Sequence, residues 1–128
     1  IPFYVDESFN FKFAIDPDSL LFGEDGILRY TVVIQSNQGA RTVLYEGLRC
    51  WGQDAKRYAE LIERDGQWFI HPDPEWRPIK VSGRNNYRFS LYNRYWCHAP
   101  IPVYSVEDMI KSLKEGGHES TDSIDWPY

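Results

Sequence analysis

The stretch of residues 30–50, YTVVIQSNQGARTVLYEGLRC, is the clearest guide to how this chain folds. Two runs rich in β-branched, aromatic and aliphatic residues, 30–34 and 41–48, flank a short polar segment that contains Gly39. Two such runs separated by a few Asn- and Gly-containing residues are typical of a β-hairpin. We therefore predict a hairpin whose second strand ends next to Cys50, one of only two cysteines in the chain.

The register of this hairpin follows from its loop. A three-residue loop with Gly39 in the left-handed backbone region would fix which residues lie opposite each other. The expected pairs are Val33 with Val43 and Thr31 with Tyr45 on one face, and Val32 with Leu44 on the other. Because both faces carry apolar side chains, we expect a central and largely covered hairpin.

A further strand is predicted before this hairpin. Phe9, Phe11 and Phe13 alternate with polar residues, which is the period-two pattern of a strand with one apolar face. Residues 16–19, Asp-Pro-Asp-Ser, favour a turn because proline removes a backbone donor. The sequence therefore predicts that the strand ends there.

A second hairpin is predicted around Asp65-Gly66, with strands at 57–63 and 67–71. The alternative is a helix over 54–64, where apolar residues also recur at helical spacing. If the hairpin forms around a two-residue turn, the cross-strand pairs are Ile62 with Phe69 and Leu61 with Ile70.

Two helices are predicted towards the C-terminus. The first covers residues 86–97. Asn85 or Asn86 can cap it, and it contains no β-branched residue, although its aromatic residues also alternate as in a strand. Residues 105–115 begin with Ser105, which is followed three residues later by Asp108, a weak form of the capping box, and then by an apolar face.

Together these elements predict an α+β fold: a bent antiparallel sheet of about five to six strands with two helices packed on it. A chain of 128 residues suits a single domain, which we place at residues 1–117, followed by a flexible acidic tail at 118–128. Cys50 and Cys97 each adjoin a tryptophan. In an oxidising compartment they would form one disulfide, and otherwise they would be two buried thiols.

The net charge of −5 is unevenly distributed. Residues 1–40, 41–96 and 97–128 carry net charges of −4, +3 and −4, which argues against a general nucleic-acid or anionic-membrane binder. Residues 84–96 interleave arginines with aromatic residues, as in platforms for single-stranded nucleic acid. A helix that buries its rings explains the same pattern, so we expect no nucleic-acid partner.

The sequence carries no motif for catalysis or cofactor binding: it lacks a glycine-rich phosphate loop, GxSxG and HExxH. His71, Asp73 and Glu75 could offer metal ligands, but a proline-rich loop without a second nearby histidine is a poor cage. We therefore expect no catalytic residue, cofactor or metal. The alternative is a small enzyme that uses an acid/base pair such as Glu46 with a histidine.

Three short motifs carry a resemblance: Ser-x-x-Gly-Ala-Arg at 36–41, Tyr-Glu-Gly-x-Arg-Cys at 45–50 and Tyr-Trp-Cys at 95–97. With them, the chain resembles the CNP-like family, the cryptic neisserial protein and its relatives from the envelopes of Gram-negative bacteria, over roughly residues 10–100. The resemblance implies a precursor with a signal peptide, often a lipoprotein, and a periplasmic mature domain. It therefore favours the Cys50–Cys97 disulfide, and it supplies no catalytic residues.

The resemblance and the absence of catalytic motifs together predict an exported binding or structural module of the periplasm or envelope. Its partner would be an unidentified envelope protein or ligand, and it would touch the membrane only through a lipid anchor on a segment that this chain lacks. Charged and aromatic residues near loops dominate recognition surfaces. The candidates are Arg41, Arg49, Trp51, Trp76 and Arg94.

Overall fold

The computed structural model describes residues 1–5, 11–80, 86–98, 100–103 and 105–117. The strands are β1 (Pro2–Phe3), β2 (Phe11–Phe22), β3 (Leu28–Ser36), β4 (Arg41–Arg49), β5 (Asp54–Ile62), β6 (Gln67–Ile70), β7 (Arg77–Pro78), β8 (Cys97–His98) and β9 (Ile101–Pro102). The helices are α1 (Tyr87–Ser90), which continues as a π-helical segment (Leu91–Trp96), and α2 (Val106–Lys114).

One antiparallel sheet holds β1 to β6 side by side in chain order, and β7 pairs with β5. The strands β8 and β9 form a small separate pair after the π-helical segment. Together with the two helices and a Cys50–Cys97 disulfide, this confirms the predicted α+β fold. No helix within the described residues is long and apolar enough to cross a membrane.

The central hairpin forms in the predicted register. Val33 lies opposite Val43, Thr31 opposite Tyr45 and Val32 opposite Leu44. Its loop is closed by the bond from the Ser36 N–H to the Ala40 carbonyl at 2.8 Å, and Gly39 has a φ of 88°. Since only glycine adopts this backbone region readily, Gly39 sets the loop and the loop sets the register.

The turn predicted at residues 16–19 is wrong: these residues form a bulge inside one long strand, β2. Asp16 pairs with Thr31, and pairing resumes with Leu21 opposite Arg29. The Ser19 hydroxyl accepts the Thr31 N–H at 2.8 Å, so the side chain replaces the backbone partner that the bulge removes. A proline that lacks an N–H is tolerated in a sheet at such a position.

The hairpin of β5 and β6 exists, but its predicted register is wrong by two residues. Ile62 lies opposite Gln67 and Leu61 opposite Trp68. The turn contains four residues, 63–66, instead of the expected two, and the Gly66 N–H donates to the Ile62 carbonyl across it at 2.9 Å. A slip of two residues leaves every side chain on its original face, and the hydrophobic pattern therefore could not distinguish the two registers.

The helix predicted at 86–97 is present, as α1 and the π-helical segment, and the Asn86 side chain caps it by accepting the Phe89 N–H at 3.2 Å. The π-helical turn is wider than an α-helical turn, so Leu91 and Trp96, five residues apart, can both be buried. Cys97 follows in extended backbone.

The helix predicted at 105–115 is also present, as α2, and the Ser105 side chain caps it by accepting the Asp108 N–H at 3.1 Å. Its buried residues are Met109 and Leu113. Trp96 ties α2 to the sheet, because its ring lies 5.1 Å from the Tyr30 ring and its indole N–H donates to the Met109 carbonyl.

The disulfide joins the end of β4 to the start of β8, with the two Cα atoms 5.6 Å apart, and both cysteines are buried. Three predictions fall partly or wholly outside the described residues: the Phe strand before Phe11, the tail at 118–128 and therefore the limits of the domain.

The denatured, non-reduced protein should contain no titratable thiol. Replacing both Cys50 and Cys97 by Ser should lower the free energy of unfolding by about 4 kcal/mol, because the disulfide closes a loop of 47 residues that would otherwise be free in the unfolded chain. Thiol titration and urea denaturation measure the two effects. Two free thiols, or a double variant as stable as the parent, would contradict the assignment.

Candidate functional site

Three of the five predicted surface residues lie together at the end of β4. The Arg49 guanidinium lies 3.9 Å from the centre of the Trp76 ring and 5.7 Å from that of Trp51. Its Nε donates to Asp54 Oδ1 at 2.8 Å, which fixes its orientation. A guanidinium over a tryptophan face is a favourable cation–π contact, so these side chains form one ordered cluster.

The other two predicted residues lie elsewhere. Arg41 is at the opposite end of β4, about 27 Å away at roughly 3.4 Å per residue, and pairs with Glu63 at 3.3 Å. Arg94 donates to the Gly116 carbonyl at 2.8 Å, after α2. The structure therefore assigns Arg41 and Arg94 to separate surfaces.

The cluster at Arg49 continues across one face of the sheet, which we call the outer face. The helices contact the opposite face, where Trp96 packs on Tyr30. Side chains that are two residues apart on a strand, or directly opposite on neighbouring strands, share a face. The outer face comprises Arg29, Tyr45, Arg49, Lys56, Tyr58, Trp68, Ile70 and Trp76.

Tyr58 is the centre of the outer face. It lies in a bulge of β5 between the pairs Tyr45–Ala59 and Glu46–Arg57, and its ring covers Gly47. A Cβ on Gly47 would lie 2.9 Å from the Tyr58 ring, so the glycine of the Tyr-Glu-Gly-x-Arg-Cys motif is needed for this close approach.

A groove of about 490 Å³ lies beside Tyr58. Its walls are mostly apolar, and they are formed by Arg29, Tyr45, Tyr58, Ala59, Trp68 and Ile70. Ile70 is 71% exposed, which is unusual for such a large apolar side chain. Sequence reasoning missed this groove, because the wrong register for β6 hid which residues of β5 flank Trp68.

On the opposite, inner face of the sheet lies a buried carboxylate, Glu46, with a side chain that has no exposed surface. Its oxygens accept the hydroxyls of Tyr30 at 3.0 Å and Tyr87 at 2.9 Å, the Arg57 Nε at 3.4 Å and the Arg88 Nε at 3.1 Å. A second nitrogen of Arg88 donates to Glu46 Oε2. We call this group the Glu46 cage.

The cage has a surplus of positive charge and two neutral donors. Burial, and then the charge of Glu46, raise the pKa of both Tyr30 and Tyr87 well above the ordinary tyrosine range. Burial alone would lower the pKa of Arg88, but its hydrogen bond and charge interaction with Glu46 raise it. The two phenols therefore stay protonated and Arg88 stays charged.

A second pocket of about 490 Å³, the inner pocket, opens beside the cage. It is lined by Ala55, Arg57, His71, Asp73, Pro74, Glu75, Arg77 and Arg88. Of the histidines that the structure describes, only His71 lines this pocket beside the cage. His98 lines a different pocket, and His118 is outside the described residues. Within the described ranges, no three His, Cys, Asp or Glu side chains are placed so that together they could hold a metal ion.

The two buried phenols predict a loss of stability in alkali. Their folded pKa values lie above the unfolded value of about 10, so the unfolded chain releases protons first and stability falls as the pH rises above that value. Above about pH 10, each of the two tyrosines should lower the free energy of unfolding by about 1.4 kcal/mol per pH unit. Urea denaturation between pH 8 and 11 measures the free energy of unfolding at each pH. This free energy should fall less steeply with pH in the Tyr30→Phe/Tyr87→Phe variant than in the parent, and equal slopes would refute the prediction.

Comparison with known proteins places the chain in a family. No curated protein and no solved structure is significantly similar to it. A family model described as the CNP1-like family matches residues 1–114, which include both strands of the central hairpin, the Glu46 cage and both cysteines. The match agrees with the resemblance carried by the short motifs around the two cysteines. The chain therefore belongs to the CNP1-like family.

Proposed function

We propose that this protein is exported to the bacterial envelope and acts there as a non-enzymatic binding module, with the outer face as its recognition surface for another envelope protein. The observation that carries the proposal is the combination of exposed aromatic and aliphatic side chains with cations on one ordered sheet face.

Export is supported by the disulfide and by the family. A fully buried disulfide is consistent with an oxidising, extracytoplasmic compartment. The chain also belongs to the CNP1-like family, and the resemblance carried by its short motifs implies an exported precursor. Periplasmic location and a lipid anchor on the precursor are parts of the proposal.

The composition of the outer face supports a protein partner. Tryptophan, tyrosine and arginine are the residues that contribute most to binding energy in protein interfaces. Most of those on the outer face lie on strands, and Arg49 is held by Asp54, so little side-chain entropy is lost on binding. The ordered Arg49 cluster and the groove beside Tyr58 lie on the same face, so one partner can contact both.

The chemistry of the face indicates what the partner presents. The apolar groove suits an aliphatic or aromatic side chain. Arg29 and Arg49 pair with Asp25 and Asp54, whereas Lys56 contacts the rings of Tyr58 and Trp76 and pairs with no carboxylate among the described residues. A partner segment with an apolar anchor and a neighbouring acidic residue would complement both features.

The enzymatic alternative places Glu46 and a histidine in a catalytic pair. His71 does line the pocket beside the Glu46 cage. The oxygens of Glu46, however, already accept hydrogen bonds from two tyrosines and two arginines. A general base needs a free oxygen directed at the substrate, so we assign Glu46 a structural role.

The proposal can be tested by photo-crosslinking in cells that export the protein. A photoreactive amino acid at position 70 should form one defined adduct with an envelope protein, because Ile70 is exposed at the edge of the groove. The additional change Trp68→Ser should abolish the adduct, since it removes one wall of the groove.

Position 101 provides the matched control. Ile101 is also exposed, at 53%, but lies on β9, away from the outer face. The same photoreactive residue there should give no such adduct. An adduct that forms equally from position 101, or that survives Trp68→Ser, would contradict the assignment of the outer face.

A further inference from the structure

The inner pocket is a separate site from the outer face, because Arg57 and Ala55 line it from the helix side of β5. The segment around His71 and Asp73 forms one wall, and Arg88 of α1 forms another. Its volume of about 490 Å³ lies within the range of small-molecule sites. Besides His71, its lining includes five charged side chains: Arg57, Asp73, Glu75, Arg77 and Arg88.

The floor of the inner pocket is cationic. Within the described ranges, Glu46 is the only carboxylate that pairs with Arg57 or Arg88, so two guanidinium groups share one negative charge. The Arg57 side chain is 41% exposed and meets Glu46 through Nε alone. A guanidinium group has five N–H donors, and most of those on Arg57 remain for a ligand.

The rim of the inner pocket is acidic. Asp73 is exposed and pairs with no basic side chain in the part of the chain that the structure describes. Glu75 pairs with Arg77 at 3.6 Å, and both of these side chains are exposed. The surplus positive charge and the surplus negative charge therefore lie at different places in one pocket.

We propose that the inner pocket binds a small zwitterion with a carboxylate and an ammonium group, such as a short peptide. The carboxylate would lie on Arg57 and Arg88, where a planar guanidinium suits it. The ammonium group would lie against Asp73. A simple anion would be repelled by Asp73, and a simple cation by the surplus positive charge of Arg57 and Arg88, so the pocket selects a ligand that carries both charges.

Three related probes test this proposal: the dipeptide Ala-Ala, its N-acetylated form and its C-terminal amide. The first carries both charges, and each of the others carries one. Titration of the ¹⁵N-labelled protein followed by NMR should show saturable shifts for residues lining the inner pocket with Ala-Ala. Each blocked peptide should bind at least about tenfold more weakly, since it loses one of the two charge contacts.

Variants identify the residues responsible. Arg57→Gln should weaken Ala-Ala binding about tenfold, whereas the control Arg64→Gln, at an exposed turn, should not change it. Asp73→Asn should abolish the difference between Ala-Ala and its N-acetylated form. The unchanged remainder of each spectrum verifies the fold. Equal binding of all three peptides, absence of saturable shifts, or unaltered affinity of Arg57→Gln would overturn the proposal.

Discussion

A buried carboxylate, Glu46, joins the central strand β4 to its neighbours and to the first helix. Its partners Tyr30, Arg57 and Arg88 come from β3, β5 and α1. A charge inside a protein is tolerated only when its hydrogen bonds and its countercharge are complete, and removing one partner costs several kcal/mol. The position of α1 on the sheet is therefore set by polar contacts as well as by apolar packing. The same contacts form the floor of the inner pocket, so the stability of the fold and the shape of that pocket depend on one group.

The alternation of side chains along β4 and β5 separates two surfaces with different chemistry. Glu46 and Arg57 face the helices, whereas Tyr45 and Tyr58 face outwards. The Cys50–Cys97 disulfide fixes the end of β4 to the segment that follows the π-helical turn. Both proposed surfaces thus include side chains of β5, whose backbone is held in the sheet, and this limits the entropy lost when a ligand or partner binds.

The sequence predicts the parts of this fold that local signals control. Gly39 fixes the loop and the register of the central hairpin, and Asn86 and Ser105 mark both helix starts. The register of β6 is not predictable in this way, because a slip of two residues preserves the hydrophobic pattern. The proline in β2 misleads for a related reason, since a bulge accommodates it as well as a turn does.

The candidate sites are less predictable because they depend on contacts between distant residues. Arg88 reaches Glu46 across 42 positions, and Tyr30 across 16, so no local motif identifies the cage. Arg49, Trp51 and Trp76 lie together because β5 and β7 pair at the end of β4, whereas the length of β4 separates Arg41 from them. A double-mutant cycle on Glu46→Gln and Arg88→Gln tests the central role of Glu46 most directly. By urea denaturation, each single variant should lose about 3–5 kcal/mol of the free energy of unfolding. The loss in the double variant should be smaller than the sum of the two single losses by at least about 1 kcal/mol. Small, additive losses would contradict the account.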